Sequence, residues 1–129
     1  MGLDIGFYKQ DRTEVLSLRN HHDLFNMLNA RPVVTIEPYS DFYVTRPMLT
    51  ALLEEIEDEM TASGLTRTAL PDPEHGRDAL EALWAELPWE FSQFEPEDWT
   101  AALPVYRIAL TYLLAEVLLD GCLICGWSA

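Results

Sequence analysis

The sequence predicts a single α+β domain, with a small, mainly antiparallel sheet packed against three to four helices. Three observations lead there. Residues 3–19 hold two short β-prone segments, LDIGFYK and EVLSLR, on either side of a polar stretch. Residues 45–64 and 72–88 carry apolar side chains at helical spacing between start and stop residues. Val105 to Leu119 is interrupted only by Arg107, Thr111 and Glu116, so a helix through it is apolar on nearly every side and must be buried by other elements. Strands first and helices later is the order expected of the α+β class. With 129 residues and 49% hydrophobic content, the chain (1–129) has the size and apolar mass for one domain around one core.

Taken in order, Leu3–Lys9 and Glu14–Arg19 form an antiparallel hairpin, with Asp11 in its turn. In the second segment Leu16 and Leu18 alternate with Val15, Ser17 and Arg19, so one face is apolar. Asn20 is placed to cap a helix over His21–Ala30, in which Leu24, Phe25 and Leu28 share a face and which Pro32 stops. Val33–Ile36 and Phe42–Thr45 are β-prone, and Pro38 between them marks a break or a sheet edge, giving three or four strands. Thr45 is placed to cap the next helix, with Pro47 tolerated in its first turn and Gly64 ending it. Met48, Leu49, Leu52, Leu53, Ile56 and Met60 form its apolar stripe.

Leu65–Pro71 reads as a loop, after which Asp72 and Pro73 start a helix whose Leu80, Leu83, Trp84 and Leu87 share a face until Pro88. Trp89–Trp99 reads as irregular, and Pro104 separates it from the apolar helix as a break or kink. The final CLICGWSA is a further strand or a tucked tail.

Charge narrows the partners. With 22 acidic and 8 basic side chains the net charge is -14, which disfavours direct contact with nucleic acid or a membrane and points to a basic protein partner or a cation. The start lacks the basic and apolar regions of a secretion signal, Gly6 stands where myristoylation wants Ser or Thr, and Val105–Leu119 is too short to span a bilayer. A soluble, cytoplasmic protein is expected. Cys122 and Cys125 form a CxxC, but no second Cys pair or HxxxH supplies further zinc ligands, and the pair follows a helix instead of preceding one. They read as structural free thiols, and neither a metal nor a cofactor is expected.

Residues 51–99 hold fourteen of the acids and two of the bases. Glu54, Glu57 and Asp58 fall opposite the apolar stripe of their helix, Glu55 and Glu59 flank it, and Glu95, Glu97 and Asp98 follow in the aromatic segment. These six opposed or following acids are either a solvated surface or a docking face for a basic partner. Trp89, Phe94 and Trp99 would then be its aromatic anchors, the alternative being packing over the apolar helix. A second candidate is an anion site at a helix start, formed by Arg19, Asn20, His21 and His22, although such residues are also ordinary capping and surface choices. His75 beside Glu74 has no partner visible in the sequence. No phosphate loop, nucleophile elbow or zinc-protease helix occurs, so no catalytic residue is assigned. The preferred function is a non-enzymatic interaction module; a small-molecule protein using Arg19, His21 and His22 is the second reading, and a structural subunit of a homo-oligomer the third.

MGLDIGFYK followed by EVLSLRNHHDLF resembles a loose group of small uncharacterised phage, prophage and bacterial proteins. The shared features are the start Met1–Asp4, Tyr8 with Lys9 at a strand end, and Arg19–His22 entering a helix, with a weaker echo at Tyr43–Met60. The resemblance implies a mobile-element origin and carries no activity.

Overall fold

The computed structural model describes residues 3–29, 41–93 and 96–128. The expected strand at Val33–Ile36, Pro38, Phe94 and Glu95 lie outside them. Strands β1 (Asp4–Tyr8) and β2 (Glu14–Arg19) form the expected antiparallel hairpin. Its turn is built by Asp11, whose carboxylate accepts the Thr13 amide at 2.9 Å, and by Arg12 at a positive φ of 73°.

Asn20 does not cap the first helix. It ends β2 in the left-handed region, which Asn tolerates, and its side-chain oxygen accepts the Leu3 amide at 3.1 Å. Helix α1 therefore starts one residue later than expected, at His22–Asn29. Strand β3 (Phe42–Val44) leads into α2 (Arg46–Ala62), with Pro47 in the first turn as read. Thr45 takes the cap position without capping: its hydroxyl is buried and makes no hydrogen bond. Gly64 ends α2 at φ 75°, where the Leu65 amide reaches back to the Met60 carbonyl and the Gly64 amide to that of Thr61. This paired closure needs a left-handed residue, which explains a glycine there.

Helix α3 (Arg77–Ala85) begins five residues after Asp72, not at it. Asp72 instead closes a turn: its carboxylate accepts the Glu74 amide, and its carbonyl those of His75 and Gly76. A short helix α4 (Trp89–Gln93) replaces the irregular stretch expected there. Helix α5 (Trp99–Asp120) starts well before Val105 and carries Pro104 inside it. Asp98 caps it, accepting the Thr100 amide at 3.0 Å. Its 22 residues meet the length and hydropathy of a membrane span, but 61% of its most apolar window is buried in the protein, as in a core helix.

Strand β4 (Leu123–Ser128) turns CLICGWSA into an interior strand, giving the antiparallel order β2-β1-β4-β3. Across this sheet Leu16, Phe7, Cys125 and Phe42 form one inward row, and Leu18, Ile5 and Trp127 the next. These rows join α2, α5 and Leu80 of α3 in one core, where Leu49, Leu52, Ile56, Tyr106 and Leu110 are fully buried. The opposite face bears Asp4, Gly6 and Tyr8 of β1 and Ser17 and Arg19 of β2, with Gly126 and Ser128 of β4, and α4 borders it through Ser92 and Gln93.

Candidate functional site

Helix α2 presents its acids where it packs on α5. Glu54, Glu57 and Asp58 line a groove of about 320 Å³, together with Leu53, Leu114, Thr50 and Arg67. Helical spacing puts residues 50, 53, 54, 57 and 58 on one stripe, so the groove is a product of the α2 sequence meeting Leu114 of α5. Leu53 and Leu114 are half-buried and give it an apolar floor, with Glu54 and Asp58 exposed at the margin.

The acids are not equivalent. Glu57 is committed within the protein: its carboxylate accepts from Arg67 and from Arg107, each at 3.3 Å, and Arg107 in turn holds the Thr68 carbonyl at 2.6 Å. Glu59 accepts the Trp99 indole N–H at 2.9 Å. Glu97 is exposed, and Asp98 is the α5 cap. The acidic face that projects to solvent is therefore smaller than the sequence suggests.

Of the aromatic anchors, Trp99 faces inward, its ring 5.5 Å from that of Tyr106. Trp89 stands 67% exposed beside Trp84, Leu87 and Pro88, at the junction of α3 and α4. Exposed Glu86 and Glu90 flank that corner in the chain.

The four residues of the expected anion site are dispersed. Arg19 lies on the outward sheet face, its Nε donating to Asp4 at 2.8 Å; Asn20 is spent on Leu3, and His22 is exposed. His21 points into the core and is fully buried. Its Nε2 lies 2.6 Å from the Phe91 carbonyl, which can only accept, so that nitrogen carries the proton; Nδ1 then accepts from the Tyr106 hydroxyl, also at 2.6 Å. His21 thus ties α1 to α4 and α5. His75 does find a partner, the exposed Asp72 at 3.1 Å, and each stabilises the other's charged form. Asp72, Glu74 and His75 bring their donor atoms within 4.8 Å of one another, but all three are exposed and their geometry is that of the turn.

No protein family, curated protein or solved structure matches this chain.

The structure also assembles a cluster that the sequence did not disclose. Glu116 of α5 is fully buried, and its Oε1 accepts from the Arg77 Nε at 2.5 Å, while Lys9 stands 3.6 Å from Oε2. Arg77 also bonds Asp78 and Glu81, and its guanidinium lies 5.9 Å from the Tyr112 ring centre. Burial opposes the charge on Arg77, but its bonds to Glu116 and Asp78 outweigh that and hold it protonated. Burial, then the charges of Glu116 and Glu81, push the Tyr112 phenol up to about 12. A lone Glu in an apolar helix was the one signal for this cluster, since a buried carboxylate requires a partner. Burial also raises the Cys125 thiol well above its usual range, leaving it a protonated core side chain, while the half-buried Cys122 Sγ lies 3.5 Å from the Gln10 amide.

A pH dependence follows from His21. Burial holds its pKa below the ordinary 6.5, with the Phe91 hydrogen bond only partly opposing. Above 6.5 both folded and unfolded chains carry neutral His21; below it the unfolded chain takes up a proton that the fold refuses, so stability falls until the lower folded pKa is reached. The unfolding midpoint should drop between about pH 7 and pH 5 in thermal melts, and drop less in His21→Gln. Equal slopes in the two proteins would show that His21 is not the titrating group.

Proposed function

We propose that the protein is a non-enzymatic interaction module, of the kind an inhibitor of phage or immunity type uses, that docks an acidic face on a basic partner protein and occludes it. The observation that supports this reading is the α2–α5 groove, where Glu54 and Asp58 rim an apolar floor made by Leu53 and Leu114. An apolar floor would supply contact area to the stem of a Lys or Arg side chain, and the rim carboxylates would meet its charged head. The exposed Trp89 offers a further contact at another corner of the helical layer. The overall charge of -14 would speed encounter with a basic surface and weaken with added salt.

The test begins by capturing the partner from bacterial lysate at low and moderate salt, then measures association of the purified pair. Glu54→Lys with Asp58→Lys should lower the association rate by about tenfold or more while changing dissociation less, because rim charges act on encounter. Glu57 is left intact, since reversing it would set three positive groups against one another inside the fold. An unchanged association rate would remove the groove from the interface.

A further inference from the structure

The outward face of the sheet holds a second concavity, of about 520 Å³, that shares no lining residue with the acidic groove. It exists because the strand register aligns Ser17, Gly6 and Gly126 across three neighbouring strands, leaving a row with almost no side chain. The Tyr8 ring lies over that row: a Cβ at Gly6 would stand 2.4 Å from the Tyr8 hydroxyl, and one at Gly126 3.5 Å from the ring edge. Only glycine at Gly6 admits the ring there.

Two ion pairs border this trough. Arg19 donates from Nε to Asp4 at 2.8 Å, and Arg12 donates from one Nη to Asp41 at 3.3 Å, so among the described residues each guanidinium spends one of its N–H groups on its carboxylate. Ser17, Gln93 and Ser128 add further donors and acceptors. Both cations are already paired with a carboxylate and Glu14 adds a third, which excludes strong selection for an anion; the single carboxylate in excess, Glu14, is exposed to water and stands with two guanidinium groups, a weak basis for holding a cation. The lining is too polar for an apolar guest. What remains is a ligand without charge that both donates and accepts hydrogen bonds densely. Planar guanidinium and carboxylate edges match adjacent hydroxyl groups, and the Tyr8 ring offers a flat apolar plate to a ring of C–H bonds. The volume lies within the ordinary range for small-molecule sites.

We propose that this trough binds a neutral sugar, gripped by the Arg19–Asp4 and Arg12–Asp41 pairs and stacked on Tyr8. The test is a two-dimensional amide NMR titration of the full chain with glucose, galactose and N-acetylglucosamine, with glucose 6-phosphate as the charged control. At least one neutral sugar should shift the amides of Gly6, Ser17 and Gly126, and Arg19→Ala with Asp41→Ala should weaken it by about tenfold or more. Arg19 and Asp41 are exposed, so the variant keeps its fold, which its own amide spectrum checks. No shift with any of the three sugars, tighter binding of glucose 6-phosphate than of glucose, or shifts undiminished in the double variant would each overturn the proposal. The Glu54→Lys, Asp58→Lys protein should bind the sugar unchanged; loss of binding there would overturn the assignment to this face.

Discussion

Arg77→Ala should destabilise the protein by about 3–5 kcal/mol, the cost of leaving a buried charge without its partner. Glu116 has no solvent contact, and its Oε1 accepts from the Arg77 Nε; Lys9, at 3.6 Å from Oε2, makes an ion contact without a hydrogen bond. With Arg77 gone, the carboxylate would remain inside an apolar helix layer without its guanidinium partner. The opposite change is milder. Glu116→Leu removes the buried charge itself and leaves Arg77, partly exposed, with Asp78 and Glu81, so it should cost less than half as much as Arg77→Ala, in line with the near-neutrality of replacing buried ion pairs by apolar side chains. Urea unfolding of the two variants reads the difference directly. Equal costs would mean that Glu116 is solvated in solution.

Leu110→Ala should cost about 2–5 kcal/mol, whereas Leu119→Ala, nine positions along the same helix, should stay within about 0.5 kcal/mol. The residue type and the helix are the same, so propensity cancels and only packing differs. Leu110 is 0% exposed and Leu119 66% exposed. Shortening the first opens a cavity where α5 meets the rest of the core; shortening the second removes surface that water already covers. Chemical denaturation with both variants checks this, and a large loss at Leu119 would indicate that a second surface covers it in solution.

Much of this architecture was legible because it depends on neighbours in sequence. The hairpin, the α2 stripe and its Gly64 stop follow from local spacing, and the structure keeps them. The misread boundaries share a cause: a local stop or start signal was satisfied another way. Pro104 reads as a break or kink before the apolar helix, but α5 starts ahead of it: the amide it lacks would have served only the Thr100 carbonyl, one turn from the α5 start, and burial of Ala102, Leu103 and Tyr106 holds the helix through it. Asp72 and Pro73 looked like a helix start, but Asp72 closes a turn first.

The site was less legible than the fold, because its members meet across long separations. His21 reads as a polar helix start, and nothing near it shows that Tyr106 and Phe91 will receive it. Glu57 reads as a free surface acid until Arg67 and Arg107 arrive from other elements. The groove acids Glu54 and Asp58 could be read from the helical wheel, but their apolar floor required Leu114. The trough on the outward sheet face rests on a register between strands whose partners lie over a hundred residues apart, which spacing along one strand cannot reveal.

The place of β4 in the sheet bears on how the protein is made. On the ribosome, β1 and β2 emerge early and can zip together, but Asp4 must wait for Ser128 and Phe42 for Cys125. Until residues 123–128 have been translated, β1 and β3 each lack the strand that pairs with them from β4, and Phe7 and Val44 lack their cross-strand partners Cys125 and Leu123. The nascent chain thus carries the described strands as two separate pieces until β4 arrives. Strand β4 closes them, so the risk of sticking to other chains is concentrated in the interval before it emerges.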